Sequence, residues 1–550
     1  MSMITRRGLA RALILGYLIA TPAVAEEVDQ AHTAFIAKLE QRQFQLPPGN
    51  DYLADSAYPV THANPAQTAA FNVSGPVDRS RQLRADEIEY NDLGPANLIF
   101  VISGPYANGE RAAWSVGANG ISKQNYSRFT PVDTLVTRKK PYTEEWAEEM
   151  AESLAEPDGL AALWSAVRLM GTLAESSNLY TLIDNNNEFY VGEQSGAIAV
   201  YGDKRPGDID SAIEVKRRFK LPPEATGEMV GMNLAFDGTL LALTEDGYLL
   251  AIARDFSSHQ IIRLNGAPAE TSRDEGAALS GWISNSFAVD ENAIYIVSDD
   301  FMHRVMWDGR ELSQSETDGA WVSAYPKDRK VGSGSTPSLM GFDSSEDKFV
   351  VITDGSTVMN MTLFWREDIP ADWQALPGNL PRRIAGSAPV DMGREDPPGI
   401  QSHQSVLVSG YGALAVNNEP PEVPWFFPHS MRPILVGVLA TEEKYRPTGM
   451  QKFEWDSRER KLTSVWVNST VSSPNSVPMM STVSNQVYTV GTREGQWTLE
   501  AVDWVSGQST FHYRIGGPRY NSIYAPIVLD DDGRISYGSP FGRVRLNPGL

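Results

Sequence analysis

Hydrophobic and polar residues alternate along most of this chain, and Asp, Asn and Gly interrupt the alternation every few residues. The stretch Ile283–Gly309 shows the unit. Phe287 and Val289 alternate ahead of Asp290-Glu291-Asn292. Ile294, Ile296 and Val297 follow, then Asp299-Asp300, then Val305 and Trp307 before Asp308-Gly309. Period-two alternation between Asx/Gly turns predicts a meandering antiparallel sheet. Variants recur at Leu98–Ser103 with Ala112–Val116, at Phe189–Val191 with Ala197–Tyr201, and at Leu234–Phe236, Leu240–Leu243 and Tyr248–Ile252. Others follow at Leu339–Phe342, Phe349–Ile352 and Met359–Phe364, and at Val406–Ser409 with Ala413–Val416. Val477–Met480, Val487–Val490, Leu499–Trp504 and Thr510–Tyr513 make a full set of four, and Ile523–Leu529, Ile535–Tyr537 and Val544–Leu546 finish the chain.

Two regions depart from this pattern. Residues 26–60 read as a leader, with Val28, Phe35, Ile36 and Leu39 near helical spacing. Ala69–Val73 is expected to return as a strand that closes a ring. Between 142 and 173 the period changes to that of a helical hairpin. Thr143 caps the first helix, Glu144 and Glu145 suit its positive end, and Trp146, Met150 and Leu154 share one face. Leu163, Trp164, Val167 and Met170 are the apolar positions of the second. The hairpin is expected to cap the sheet body, with a lid over a pocket as the alternative.

Aligned by first strand, the units begin near Leu98, Thr181, Asn233, Asn285, Thr336, Gln404, Asn475 and Asn521. The later ones lie about 50–70 residues apart, against about 40–50 for a four-stranded propeller blade with short loops. A sandwich needs fewer repeats, and a β/α barrel needs a helix after each strand. The fold class is therefore all-β, a β-propeller of about eight blades with seven as the alternative, spanning 61–550 as one domain.

The N-terminus carries a processing signal. Arg6, Arg7 and Arg11 precede the apolar Ala12–Ile19, and Ala23-Val24-Ala25 supplies a cleavage site, so residues 1–25 are expected to be removed. The mature chain then has no membrane span, and the protein is expected to be periplasmic or secreted. Thr5-Arg6-Arg7-Gly8-Leu9 resembles a twin-arginine signal, with Sec export as the alternative. The formal charge of −22 makes nucleic acid an improbable partner, because an acidic surface repels phosphate. The absence of Cys excludes disulfides, thiolate nucleophiles, iron–sulfur clusters and c-type haem attachment.

Ala501-Val502-Asp503-Trp504-Val505-Ser506-Gly507-Gln508 resembles the A-x-D-x-x-T-G repeat of pyrroloquinoline-quinone (PQQ)-type propellers, with Ser in place of Thr. Asn285–Val297 is similar to the repeat unit of gluconolactonase (SMP-30)-like propellers. The starts at Thr336-Pro337-Ser338, Asn475-Ser476-Val477-Pro478 and Asn521–Pro526 also resemble exported bacterial propellers without an assigned activity. These resemblances imply the fold. They leave the chemistry open, because propellers host unrelated activities.

The polar blade starts are the leading functional candidates. Asn233, Asn285, Thr336, Gln404, Asn475 and Asn521 are expected to face the axis, where their oxygens suit a polar ligand or Ca²⁺. Asn285, Asn475 and Asn521 are the metal candidates. In the lactonase-like propellers such a site holds Ca²⁺. The alternative is that these side chains satisfy strand-end backbone groups and channel water. His403 is the one candidate general base, with a surface or hydrogen-bonded role as its alternative. Trp425 and Phe426, in the Pro-rich loop 417–433, suit contact with a ligand or protein, or else fill a gap. Acidic turns such as Asp299-Asp300, Asp530-Asp531-Asp532-Gly533 and Asp184–Asn187 are expected to be hairpin turns. No H-x-x-x-H, G-x-S-x-G or Walker pattern occurs. Three functions follow in order: a propeller binding a small-molecule, polymeric or protein ligand at its channel mouth; a Ca²⁺-dependent lactonase or esterase; and a quinone-dependent dehydrogenase using PQQ.

Overall fold

The computed structural model describes residues 45–155, 159–174, 180–267, 282–329, 331–344, 346–428 and 431–548. Residues 1–25, read above as a signal peptide, most of the expected leader, His32 and His429 lie outside them. The described strands form eight sheets of four to six strands, and the fold is a β-propeller. Blades one to seven occupy 100–136, 182–220, 229–263, 288–324, 338–389, 407–468 and 479–516, each with its innermost strand first in sequence. Blade eight takes three strands from 527–546 and its outermost from Ile88–Asp92, with Tyr90 opposite Val544.

That outermost strand, not Ala69–Val73, closes the ring. Ala70–Phe71 instead pairs in parallel with the innermost strand of blade seven, Ala70 opposite Met480. The closing segment IEYND is half-buried at a sheet edge, so it lacks the apolar face that would mark it in the sequence. The same reason hid other outer strands, among them Ile213–Lys220 and Lys461–Asn468, whose outward residues are mostly charged or polar.

The axis is not an open channel. Residues 50–71 run through it as an irregular plug. Innermost strands are sheet edges whose N–H groups need acceptors. The plug supplies them one blade at a time. Its carbonyls at Tyr58, Pro59, Pro65, Ala66, Thr68 and Ala69 accept from Ile102, Ile183, Val289, Leu339, Val408 and Met480, at 2.8–3.0 Å. Asn50 Nδ2 reaches the Leu234 and Ala235 carbonyls of blade three at 2.9 and 3.2 Å. A segment that meets six radially placed strands in succession cannot keep one period. His62, Ala63, Gln67 and Ala69 accordingly take positive φ of 64°, 78°, 59° and 55°.

Neighbouring blades are tied by side chains from their outer strands. Trp307 Nε1 donates to Asp237, Trp455 Nε1 to Asp347, and Trp466 Nε1 to the Trp504 carbonyl, at 2.9, 2.9 and 3.0 Å. Buried Lys123 pairs with Asp203 between blades one and two. Arg543, fully buried, donates to Gln124 and to Ser115 (2.9 Å) and lies over the Phe100 ring at 4.1 Å, joining blade eight to blade one. At that seam a Cβ on Gly538 would lie 2.0 Å from the Leu98 carbonyl oxygen. Gly538→Ala is expected to cost at least about 3 kcal/mol in denaturant unfolding, because main chain rather than a movable side chain would have to give way.

The hairpin is present as α1 (Glu144–Ala155) and α2 (Gly159–Leu173). Thr143 Oγ1 caps α1 by accepting from Trp146 N at 3.2 Å. Met150 and Leu154 of α1, with Ala166 and Leu169 of α2, pack on Leu98, Phe541 and a third helix, α3 (Arg432–Val438). The buried stripe of α2 therefore runs through its alanines, and Trp164, expected on the apolar face, is 70% exposed. The sequence reading had α3 as the end of a Pro-rich loop. Pro433 opens the helix instead, at a position where its missing N–H costs nothing. The acidic turns are hairpin turns. Asp184 Oδ1 accepts from Asn186 and Glu188, and Asp530 Oδ1 from Asp532 and Arg534. No described helix is long and apolar enough to cross a membrane.

Candidate functional site

Each innermost strand runs from a leading face, where the blade starts lie, to a trailing face, where it turns into the second strand. The plug separates the two. On the leading side it raises His62, whose positive φ is held by its N–H donating to the Tyr58 hydroxyl at 2.9 Å. Tyr58 is fixed in turn by stacking on Phe71, centroids 6.1 Å apart. His62 Nε2 meets Ser405 Oγ at 3.2 Å, and that oxygen accepts from Thr336 N at 3.2 Å. Tyr180, just before the innermost strand of blade two, brings its hydroxyl beside the Thr336 side chain and the Ser286 backbone. Its ring lies 6.4 Å from the His62 imidazole. Plug and blades two, four, five and six thus meet in one polar cluster.

The cluster is neutral. Burial drags the His62 pKa down to about 4, so its imidazole is uncharged at neutral pH. Burial also raises the Tyr58 and Tyr180 phenols above their ordinary value. Four buried polar atoms of the plug and the blade starts have no protein partner among the described residues: His62 Nδ1, Gln67 Oε1, Thr336 Oγ1 and Gln404 Nε2. His403 and Ser284, beside Gln404 and Asn285 in sequence, are solvent-exposed. The His403 imidazole still sits in a recess deep enough for desolvation to lower its pKa, with Glu419 pulling the other way. His62 Nδ1 has no carboxylate, so Ser405–His62 lacks the third group that orients a catalytic imidazole.

The blade-start candidates divide. Thr336 joins the cluster through its N–H to Ser405 Oγ, and Gln404 is buried next to Ser405 in sequence. Asn233 lies inside the strand Met229–Leu234 rather than at its start, and its Nδ2 holds the plug through the Pro65 carbonyl at 3.4 Å. Asn285 Nδ2 reaches the Ser333 carbonyl ahead of blade five at 3.2 Å. Asn475 and Asn521 come together, Nδ2 to Oδ1 at 3.0 Å, and both donate to the Gly437 carbonyl of α3 at 2.8 Å. Their oxygens are already used: Asn475 Oδ1 accepts from Ser522 Oγ, and Asn521 Oδ1 also accepts from Ile523 N. Trp425 and Phe426 are 95% and 53% exposed on the loop before α3.

These donors do not fit the two groups the resemblances imply. Among the described residues no three or more His, Asp or Glu gather as a metal site. PQQ is a tricarboxylate, and the cluster offers it no cation. We derive no step through either group.

Sequence reasoning missed His62 and Tyr180. Neither stands at a blade start: one is carried by the plug, and the other lies one residue ahead of Thr181. It also missed the Asx residues just after the second strands of blades four and six. Asp299 accepts from Gly332 N at 3.2 Å, and Asn418 spans from His403 N to the Ser473 and Pro474 carbonyls. These two hold the next blade's leading loop, whereas Asp246 and Asp354, in blades three and five, bond within their own blades.

No protein-family model matches the chain. The structure is similar to quinohemoprotein alcohol dehydrogenase from Comamonas testosteroni, with TM-score 0.51 and 11% identity over 94% of this chain and 85% of that one. It is similar also to quinohemoprotein alcohol dehydrogenase ADHIIG from Pseudomonas putida HK5, with TM-score 0.52 and 11% identity over 92% and 81%. At that identity the likeness is one of fold. An uncharacterized protein of Archaeoglobus fulgidus is 34% identical over 513 residues, 91% of this chain and 89% of its own length. The chain belongs to the family of that archaeal protein.

Proposed function

We propose that this is an exported propeller whose leading-face polar cluster binds a small, uncharged, polyhydroxylated ligand. One observation carries the reading: His62 Nδ1, Gln67 Oε1, Thr336 Oγ1 and Gln404 Nε2 are buried without protein partners among the described residues. A buried unsatisfied polar group costs about 1–3 kcal/mol. A ligand offering hydroxyls, donor and acceptor at once, repays that cost wherever it meets one of them. Neutral His62 and the phenols favour an uncharged ligand over an ionised one. Tyr180 adds a ring face of the kind that packs against a sugar. Export rests on the N-terminal signal pattern.

The test is calorimetric titration with glucose, trehalose and inositol. At least one is expected to bind with a stoichiometry of one. Gln404→Leu should weaken it about five- to tenfold, the worth of one desolvated hydrogen bond, with little change in Tm. No binding by any of the three, or affinity unchanged in Gln404→Leu, would overturn the reading.

A further inference from the structure

The trailing face carries a second feature that the blade starts do not involve. A cavity of about 580 Å³ opens there, walled by the plug and by the first hairpin loops of blades one and two. Its size falls within the range of small-molecule sites, about 300–1,000 Å³.

The walls are fixed before any ligand arrives. Asn50 is pinned to blade three as described. Ala54 N donates to the Ile183 carbonyl at 3.0 Å, and Leu53 bridges to Asp184. Asn185 Nδ2 holds the Asp51 carbonyl at 2.9 Å, and Asn187 Oδ1 accepts from Gly104 N at 2.8 Å. Most of the amides lining the cavity are therefore spent on building it. The carboxylates are not. The exposed Asp51 and Asp55 side chains line the cavity and enter no hydrogen bond or ion pair among the described residues. The neighbouring cations are committed elsewhere. Arg111 donates to the Asp55 and Ser103 carbonyls and pairs with Asp531 at 3.3 Å, and Arg254 pairs with Asp184 at 3.2 Å. Prolines stiffen one part of the wall, Pro47, Pro48, Pro59 and Pro105 among them, beside polar Ser56, Asn64 and Asn72.

We propose that this trailing-face cavity is a binding site for a small organic amine, its ammonium groups meeting Asp51 and Asp55 and its alkyl body lying against the proline wall. A bare metal ion would gain nothing from that wall and would find the nearby amide oxygens already engaged. The cavity's lining includes neither His62, Thr336 nor Gln404, so the two proposals stand or fall separately.

The experiment is titration of the folded full-length protein with 1,5-diaminopentane at low ionic strength, with methylamine as a probe that has the charge but no alkyl body. The expected result is saturable binding of one diamine, at least tenfold tighter than methylamine. Asp51→Asn/Asp55→Asn should weaken it at least tenfold. Glu148→Gln/Glu149→Gln, on the exposed face of α1, removes the same charge and should leave it within twofold. Both aspartate side chains are free of internal bonds, so the paired variant should keep its Tm; Asp55→Asn alone gives a second reading of the same loss. Equal weakening in the two double variants would reduce the effect to the general acidic field. No saturable binding, or equal affinity for methylamine, would refute the site outright.

Discussion

Deletion of residues 45–71, leaving the closing strand Ile88–Asp92 in place, is expected to abolish cooperative unfolding and the near-ultraviolet dichroism of the packed core. The deletion strips acceptors from six innermost strands, at Ile102, Ile183, Val289, Leu339, Val408 and Met480. Each buried N–H left unpaired costs about 1–3 kcal/mol, and six of them rival a net stability of about 5–15 kcal/mol. Water admitted to the emptied axis would recover part of this. It would not recover the burial of Leu53, Tyr58, Val60 and Phe71, all at 5% exposure or less. A single change samples the same effect. Tyr58→Ala removes a ring packed on Phe71 and Phe100 and should cost about 3–5 kcal/mol, whereas Tyr58→Phe loses only the hydroxyl that accepts from His62 N. A deletion variant that melts as the intact protein does would show the plug to be a passenger.

Stability is also expected to fall steeply between pH 6.5 and 4. His62 and His303 are both fully buried, with pKa values pushed down to about 4 by desolvation. Unfolding restores an ordinary pKa near 6.5, so within this window the unfolded chain binds protons that the folded chain refuses. Stability therefore rises with pH across it and is lost on acidification, by about 3 kcal/mol for each histidine at the acid end. Desolvation lowers the pKa of His403 and His512 too, which adds in the same sense. Buried Asp92, Asp184 and Asp354 have raised pKa values and oppose the loss near its acid limit, where their folded forms take up protons first. Glu87, held down to about 2 chiefly by Arg81, matters only below its unfolded value near 4.5. Urea midpoints measured across the window should show the slope. In His62→Gln/His303→Gln, where neither side chain titrates, most of it should vanish. An unchanged slope would mean these imidazoles are not the groups that take up protons.

The strands that were legible in the sequence are those with two buried faces or a strict alternation, such as Ala293–Val297 and Gln496–Asp503. Their turns were legible because an Asp or Asn oxygen closes each one on the backbone that follows it, as Asp290 does with Asn292 and Ala293. Outer strands were hidden by their charge, and Met450–Asp456 was hidden by distance, because the loop that carries α3 separates it from its partner Gly412–Val416. The site was half legible. Polar residues do recur at the blade starts, and Thr336 N does bond to Ser405, the partner of His62. The pattern gave no means of knowing that an amide such as Asn475 would be claimed by a helix end 38 residues away in sequence. Nor did it show that the axis would be filled by a stretch with no period at all. Such contacts are set by which parts of the chain meet after closure, and local spacing does not encode them.

The seam between the first and last segments also sets a schedule. Ile88–Asp92 waits for Gly542–Leu546, and the plug waits for strands as late as Met479–Ser481. At about 5–20 residues per second, ribosomal synthesis keeps the closing strand without its partner for roughly 20–90 seconds. During that interval the first and the newest blades each keep an exposed flank, and the plug lacks its partners in the blades still to come. The nascent chain is therefore a row of sheets on an unfinished axis that becomes a ring only once Gly542–Leu546 is made, and a stop ahead of that strand would forfeit the closure.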